Sequence, residues 1–378
     1  MNTILHGDAL TMLKTLPDAC VQCIVTSPPY YNLRDYQIDG QIGLEKTPAA
    51  YIANLVEIFR EARRVLRTDG TCWLNLGDSY ANDTKWGGST GGKHVEELHG
   101  DNVTRHRRYT GIAPKNLMMI PARVAIALQD DGWYLRSDII WAKSNPMPES
   151  VQDRPTSAHE HIFLLAKSER YYYDAEAIRE PGAEWAGSSG TFACKSGKNT
   201  LLTIPSQDHA SHRAERDDRV PTGRNKRNVW SIASQPYSEA HFATMPPKLV
   251  EPCILAGTSP RACESCGAPR KRQVEHTPMI IAPGPKAGGY GSRTNGLSGT
   301  MVDLDETRTV GWEPSCQHKS EGSGKCVVLD PFLGSGTTAM VALQLSRAYI
   351  GIELNPTYIN LANKRLETIQ PVLWEAVS

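Results

Sequence analysis

The fold is decided by residues 23–30, Cys-Ile-Val-Thr-Ser-Pro-Pro-Tyr. An apolar, β-branched run that is closed by two prolines is typical of a buried strand that ends abruptly. In open α/β sheets, ligands bind at the carboxyl ends of the strands. The stretch therefore predicts a buried strand that is followed at once by a functional site.

The residues after this strand suit chemistry on an amino group that is attached to a flat heterocycle. The lone pair of such a nitrogen is conjugated into the ring, so the nitrogen is a poor nucleophile until its hydrogens are held out of plane. The Ser27 hydroxyl and the Pro28 carbonyl can each accept one N–H, and Pro29 stiffens the turn. Tyr30 can stack on a base that has left the duplex. A plain proline turn after a core strand is the alternative.

A second motif occupies residues 327–338, Val-Val-Leu-Asp-Pro-Phe-Leu-Gly-Ser-Gly-Thr-Thr. It predicts a strand, a glycine turn where a ligand can lie against the backbone, and a helix that Thr337 or Thr338 caps. The third glycine of the dinucleotide-binding fingerprint is missing. Residues 349–356 predict another short strand with a carboxylate at its end, and Glu353 follows the glycine turn by roughly 20 residues, a placement suited to two ribose hydroxyls.

Together, the two motifs resemble those of the S-adenosylmethionine-dependent DNA amino-methyltransferases. The catalytic motif precedes the cofactor motif, an order similar to that of the β, circularly permuted, class. The resemblance implies an α/β fold with a doubly wound, mostly parallel sheet, and catalytic roles for Ser27, Pro28, Pro29 and Tyr30. It also implies contacts to S-adenosylmethionine from Asp8, Thr26, Thr244, Pro246, Asp330, Pro331, Phe332, Gly334, Gly336, Thr337, Glu353 and Asn355.

The alternation of apolar strands with amphipathic helices favours the same fold class. Residues 57–66 predict a helix, and residues 71–78 predict a further buried strand. In the permuted class a strand of the cofactor site comes first, so Asp8 resembles the polar residue near the adenine of the cofactor. A helix N-cap is the alternative role for Asp8.

One position departs from the family pattern. Where members often carry Lys-Pro, this chain carries Met245-Pro246. The partner of the cofactor carboxylate is therefore left open between a backbone amide, Thr244 and the displaced Lys248.

The sequence pattern divides the chain into three parts. Residues 1–175 are expected to form the catalytic half, with a loop insertion at about 82–114. Residues 229–378 are expected to form the cofactor-binding half, with a cysteine-containing insertion at about 258–320. Between them, residues 176–228 include a basic segment of the kind that neutralises phosphates. The resemblance implies a target-recognition region there, and a disordered linker is the alternative.

The cysteine-containing insertion indicates a metal site. Cys263-x-x-Cys266 is a knuckle on a tight turn, and Cys316 and His318 follow after a long polar stretch. Two thiolates and a distant Cys/His pair can complete a tetrahedral, structural Zn²⁺ shell. Cys326 is an alternative to His318 as the fourth ligand, and unligated thiols are the alternative to a metal site.

Composition limits the functions that remain. The 378 residues can bury a large core, and 40% hydrophobic with 22% charged residues is typical of globular proteins. The 41 basic residues balance the 41 acidic ones, so affinity for DNA must come from local patches. No apolar run approaches the roughly 20 residues of a membrane span and no signal peptide is evident, so a cytoplasmic location is expected. Homodimers are common in the resembling class, although the sequence reveals no interface.

The predicted reaction is methyl transfer from S-adenosylmethionine to the exocyclic amine of a flipped base in double-stranded DNA. In the resembling family, serine before Pro-Pro-Tyr accompanies mostly N4-cytosine methylation, so Ser27 favours that product, and N6-adenine stays open. Methylation of an RNA base or a protein glutamine is less favoured, because the motif order and the basic segment indicate DNA. A non-catalytic DNA-binding protein is disfavoured because both motifs are present.

Overall fold

In this computed structural model, the described residues are 2–36, 38–81, 111–180, 224–235, 245–277, 281–283, 299–301, 306–319 and 324–369. The predicted loop insertion at about 82–114 and the predicted recognition region at 176–228 lie largely outside these ranges, and Thr244 lies outside them too.

Strands provide the framework of the described residues. They are β1 (Thr3–His6), β2 (Val21–Thr26), β3 (Leu66–Leu76), β4 (Tyr134–Lys143), β5 (His159–Ala166), β6 (Val229–Ile232), β7 (Lys271–Thr277), β8 (Ile281–Pro283), β9 (Gly299–Met301), β10 (Glu306–Glu313), β11 (Val327–Asp330) and β12 (Ala348–Glu353).

Eight of these strands form one sheet in the order β1-β12-β11-β2-β3-β5-β4-β6. All the neighbouring pairs run parallel except the pairs that β5 makes with β3 and β4. The prediction of a mostly parallel sheet is therefore confirmed. Because β1, β12, β11 and β2 are parallel neighbours, their carboxyl ends meet at one edge of the sheet.

Helices cover both faces of the sheet. They are α1 (Ala9–Thr15), α2 (Pro48–Val65), α3 (Ile120–Asp130), α4 (Pro247–Gly257), α5 (Thr337–Gln344) and α6 (Pro356–Glu367). On one face α1, α2 and α3 contribute to one core together with Ile24, and on the other α4, α5 and α6 contribute to a second core together with Cys23 and Val25. The apolar run in β2 is continuous because alternate side chains enter two separate cores. The predicted α/β class is confirmed.

The start of α2 was predicted too late. The helix begins at Pro48 rather than at residue 57, because the Thr47 hydroxyl accepts the Ala50 N–H at 3.2 Å and proline suits the first helical position. The strand predicted at 71–78 likewise begins earlier, at Leu66.

The capping of α5 also differs from the prediction. Gly336 is the N-cap, with a φ of 80°, and neither threonine caps the helix. Thr338 instead donates to the Val25 carbonyl at 3.3 Å, and the Thr337 hydroxyl accepts from Arg365 at 2.9 Å. Both hydroxyls therefore fasten the helix to its neighbours.

The chain divides into two compact units. One comprises residues 1–178, 227–272 and 312–378 and contains the eight-stranded sheet. The other comprises residues 179–226 and 273–311, and it includes the antiparallel pair β8 and β9. None of the helices in the described ranges has the length and apolar character needed to cross a membrane.

Candidate active site

The carboxyl ends of β1, β12, β11 and β2 open onto a cavity of about 370 Å³. Its wall includes most of the predicted site residues, namely Ser27, Pro28, Pro29, Tyr30, Asp8, Asp330, Pro331, Phe332, Gly334, Thr337, Glu353 and Asn355. Two motifs from opposite ends of the chain thus share one cavity.

Three predicted residues lie outside the wall. Thr26 lies behind it, and its hydroxyl donates to Asp330 Oδ1 at 2.6 Å. Gly336 lies where a Cβ would be 3.0 Å from the Cβ of Ala362, so it allows close packing of α6. Pro246 precedes α4, and its carbonyl accepts the Leu249 N–H at 2.9 Å.

The family position that often carries lysine is occupied here by Met245, which lines the cavity. Lys248 is exposed and does not belong to the described wall. Thr244 lies outside the described residues. Lys248 is therefore a poor partner for a ligand carboxylate in this cavity.

Asp330, the last residue of β11, is a buried carboxylate. Its Oδ1 accepts from the Thr26 hydroxyl at 2.6 Å and from the Phe332 N–H at 3.0 Å. Burial raises the pKa of Asp330 to about 6, and the charge of Glu353 adds to the rise while the hydrogen bonds oppose it. A positively charged ligand would favour the ionised form.

Glu353 ties the glycine turn to the end of β12. Its Oε2 accepts the Gly334 N–H and its Oε1 accepts the Asn355 N–H, each at 2.8 Å. Burial raises the pKa of Glu353, and these backbone hydrogen bonds oppose the rise. Gly334 has a φ of 53°, the left-handed region that favours glycine.

Asp8 has the capping role that the sequence left as an alternative. Its Oδ1 accepts from the Thr11 N–H at 2.9 Å and from the Thr11 hydroxyl at 3.1 Å, which caps α1. Asp8 also lines the cavity, so the cap does not remove it from the site.

The turn at residues 27–30 is held by hydrogen bonds through Tyr30. Its hydroxyl lies 2.6 Å from Glu160 Oε2, 3.0 Å from Asn75 Oδ1 and 3.3 Å from Ser27 Oγ. A Cβ on Gly77 would lie 2.7 Å from the Tyr30 ring, so glycine is required for this close contact. Burial and then the Glu160 charge raise the pKa of Tyr30 well above its usual value, so the phenol keeps its proton.

The two proline carbonyls of the turn differ. The Pro29 carbonyl accepts the Tyr51 hydroxyl at 2.8 Å. The Pro28 carbonyl accepts no hydrogen bond from the part of the chain that the structure describes, so it can accept one from a ligand.

Sequence reasoning missed the residues behind Tyr30. Lys143 Nζ lies 2.5 Å from Glu160 Oε1 and 5.0 Å from the centroid of the Trp141 ring, and all three residues line the cavity. Asn75 Nδ2 donates to Glu160 Oε2 at 3.1 Å. No local motif marks these residues, because the antiparallel pairing of β5 with β3 and β4 brings them together.

A cluster of candidate metal ligands lies at the opposite edge of the sheet, where the amino ends of β2 and β3 lie. Ligand atoms of Cys263, Cys266, Cys316 and His318 all lie within 4.8 Å of one another. The knuckle is fastened to the amino ends of the strands, since Gln22 at the start of β2 donates to the Gly267 carbonyl at 2.9 Å. Arg67 at the start of β3 also donates to the Cys266 carbonyl.

Cys326, the alternative fourth ligand, lies elsewhere. It is buried, and its sulfur lies 3.6 Å from the Ser259 hydroxyl. The geometry therefore favours His318 over Cys326 in the cluster.

Comparison with known protein families gives a match over most of the chain. The DNA methylase family model, which is named for N6 and N4 methylation, matches residues 21–263 and 322–364. The chain belongs to this family. The region of this DNA methylase that matches the family includes both motifs that line the cavity.

Relatives and solved structures extend the comparison. The type II methyltransferase M.Cfr9I of Citrobacter freundii is 39% identical, with 97% of this chain and 87% of the relative aligned. M.XycI of Xanthomonas campestris pv. cyanopsidis is 38% identical, over 97% and 88%. The structure of the PvuII DNA methyltransferase (cytosine-N4-specific) aligns with a TM-score of 0.53 at 16% identity, over 98% of this chain and 89% of that one. That structure shares the fold of this DNA methylase.

Proposed function

We propose that this DNA methylase transfers a methyl group from S-adenosylmethionine to the exocyclic amine of a base extruded from double-stranded DNA. The supporting observation is the shared cavity, where Ser27 and Pro28 face the same space as Asp330 and Glu353. The type II methyltransferases among its relatives support a role in restriction-modification. The order of the motifs supports the permuted class.

The residues of the cavity fit the cofactor. Asp330 is a buried carboxylate whose raised pKa reflects burial, and a sulfonium or ammonium charge is a suitable partner for it. Glu353 has lone pairs left for hydroxyl groups after it accepts two backbone N–H groups. When bound, S-adenosylmethionine supplies an electrophilic methyl group on its sulfonium sulfur.

The turn at residues 27–30 prepares the amine. The Ser27 hydroxyl and the Pro28 carbonyl each accept one N–H of the base, which directs the nitrogen lone pair away from the ring. Tyr30 holds the flat face of the base by stacking. Catalysis then consists mainly of positioning, and no covalent enzyme intermediate is required.

Cytosine N4 is the favoured target and adenine N6 is the alternative. A short serine leaves room for a close approach of the smaller cytosine ring, with the Pro28 carbonyl taking the second hydrogen. Both bases present the same amino group, so pocket size separates them by no more than about 1–3 kcal/mol. Residues 176–228 stay the predicted DNA-recognition region, and a homodimer stays a prediction.

Two measurements test this function. The purified protein is incubated with cofactor carrying a labelled methyl group and with DNA, RNA or protein, and label in DNA is expected. Hydrolysis of that DNA and separation of the nucleosides by mass is expected to give N4-methylcytosine. Label only in RNA or protein contradicts a DNA substrate, and N6-methyladenine as the only product contradicts the choice of base.

We further propose that Cys263, Cys266, Cys316 and His318 bind one structural Zn²⁺. Three sulfurs and one imidazole nitrogen form a closed set for this ion, with no position left for a substrate. Elemental analysis of protein purified without chelator is expected to find about one zinc per chain. Metal-free protein that folds normally contradicts the site.

A further inference from the structure

Serine is an ambiguous residue at the amine-binding position. Its hydroxyl can donate one hydrogen bond as well as accept, whereas the exocyclic amine of a base needs an acceptor. Ser27 therefore assists the reaction only when its own proton is directed away from the base. The residues behind it determine that direction.

A chain of hydrogen bonds leads from Ser27 to a carboxylate. Tyr30 has one hydroxyl proton, and the nearest acceptor is Glu160 Oε2 at 2.6 Å, closer than Asn75 Oδ1 at 3.0 Å. Once that proton is directed to Glu160, the Tyr30 oxygen accepts the Ser27 proton across 3.3 Å. The lone pairs of Ser27 are then left for the cavity that it lines.

The surroundings of Glu160 fix its role as an acceptor. Lys143 donates to its Oε1 at 2.5 Å, and Asn75 donates to its Oε2 at 3.1 Å. The Glu160 side chain is only 13% exposed, so little water competes with these donors. Hydrogen bonds in such a chain polarise one another, and an anionic end strengthens the acceptor at the other end.

We infer that Glu160 is a positioning residue that, through Tyr30, makes the Ser27 hydroxyl a hydrogen-bond acceptor for the target amine. The inference rests on the proposed function. The hydrogen bonds from Glu160 through Tyr30 make serine an acceptor, whereas an aspartate or asparagine oxygen is an acceptor without such a chain. Glu160 acts through Tyr30 rather than on the substrate.

The first test replaces Glu160 by glutamine and Tyr30 by phenylalanine, singly and together. Glutamine has a single acceptor oxygen, which the Lys143 ammonium attracts, so its NH2 group faces Tyr30 and the chain is broken. Each single change is expected to lower kcat about 10- to 100-fold, the factor for one hydrogen bond to a charged group. The double variant is expected to lose no more than the worse single variant, because both changes break one chain. Losses that multiply, or a Glu160→Gln enzyme with the wild-type kcat, overturn the inference.

A matched control separates this role from general stability. Glu61 is a salt-bridged glutamate whose side chain is 23% exposed, and it pairs with Arg64 on α2 outside the cavity wall. Glu61→Gln is expected to leave kcat unchanged. Calorimetry with S-adenosylmethionine is expected to give the same cofactor affinity for Glu160→Gln as for the wild type.

Rescue supplies the sharper readout. The asparagine of Ser27→Asn has an amide oxygen that accepts without help, so Glu160→Gln is expected to lower kcat less than about threefold in that background. An equal loss in both backgrounds shows that Glu160 has only a structural role, and overturns the inference.

An equilibrium measurement decides the question without turnover. DNA with the target base is compared with DNA whose target base lacks the amine, 2-pyrimidinone for cytosine or purine for adenine. The wild type is expected to prefer the amine more strongly than Glu160→Gln does, by about tenfold, a factor that corresponds to one such hydrogen bond. An identical preference overturns the inference, whereas a wild type that methylates no DNA overturns the proposed function instead.

Discussion

Different polar clusters lie at the carboxyl ends and at the amino ends of the parallel strands. At the carboxyl edge, Asp330 and Glu353 are carboxylates that accept hydrogen bonds from their own chain. At the amino edge, the ligand atoms of the cysteine and histidine cluster, residues 263–318, converge on one another within 4.8 Å. The first cluster lines a cavity, whereas the ligand atoms of the second lie close enough together to bind a single ion.

The difference suits the carboxylates to a ligand that exchanges and the cysteine and histidine cluster to an ion that stays bound. The carboxylates already accept hydrogen bonds from the chain, so the site stays folded without a ligand. Their remaining lone pairs can bind and release a small molecule. Thiolates that face one another gain their stability from an ion, so metal binding and local folding are coupled. Under the proposed function, turnover takes place at the carboxyl ends of the strands and a bound Zn²⁺ stabilises the protein at their amino ends.

The largest expected effect concerns the amino edge. Cys263→Ser removes one of four ligands and is expected to lower metal content from about one zinc per chain to a small fraction. Hydrogen exchange is expected to rise in residues 262–270 and to stay unchanged in β2. Cys20→Ser, a change at a half-buried cysteine outside the cluster, is the control that keeps the metal. Retention of zinc by Cys263→Ser would contradict the ligand set.

At the carboxyl edge, Asp330→Ala and Glu353→Ala are each expected to weaken binding of S-adenosylmethionine. Each removes a charge-assisted hydrogen bond in a partly dry cavity, which contributes about 1.5–3 kcal/mol. Isothermal titration calorimetry measures the change, and Glu61→Gln serves as the unaffected control. Unchanged affinity in both alanine variants would remove these carboxylates from the site.

Asp330 also makes the stability of the ligand-free protein depend on pH. Its pKa rises from the ordinary 3.8 to about 6, so the folded state without ligand binds more protons than the unfolded state between these values, and stability falls as pH rises through them. Asp330→Asn keeps an oxygen for Thr26 and Phe332 and is expected to stabilise the ligand-free protein by about 2–3 kcal/mol at pH 8. The gain is expected to disappear toward pH 4 in denaturant titrations. A gain that is independent of pH would show that ionisation is not its cause.

The smallest expected effect is the stacking of Tyr30 on the base, measured as the difference between Tyr30→Ala and Tyr30→Phe. Both variants lose the hydrogen bond to Glu160 and are expected to keep the cofactor affinity, and Tyr30→Ala is expected to lower kcat by a further factor equivalent to about 1–3 kcal/mol because it also loses the stacking ring. Comparison with Tyr30→Phe, which keeps the ring, separates stacking from the hydrogen bond to Glu160. Equal kcat values for Tyr30→Ala and Tyr30→Phe would refute the stacking role.

The sequence predicted the parts of the molecule that follow from local pattern. The strand at residues 23–25 and the glycine turn after Asp330 are each marked by neighbouring residues, and the cysteine knuckle by its spacing. Parallel strands collect their carboxyl ends at one edge whatever their separation in the chain. Local motifs were therefore enough to predict that Ser27, Asp330 and Glu353 share a site.

Tertiary structure decided what depends on strand register and packing. Glu160 contacts Tyr30 only because β5 runs antiparallel between β3 and β4, and a shift of one residue would direct its side chain to the other face. The geometry favours His318 over Cys326 because of where the long insertion returns to the sheet. Neither threonine caps α5, and their hydroxyls are bonded to Val25 and Arg365 instead. The sequence determined which functional groups lie at each strand end. Packing between distant segments determined which residues form hydrogen bonds with those groups or join them in a cluster.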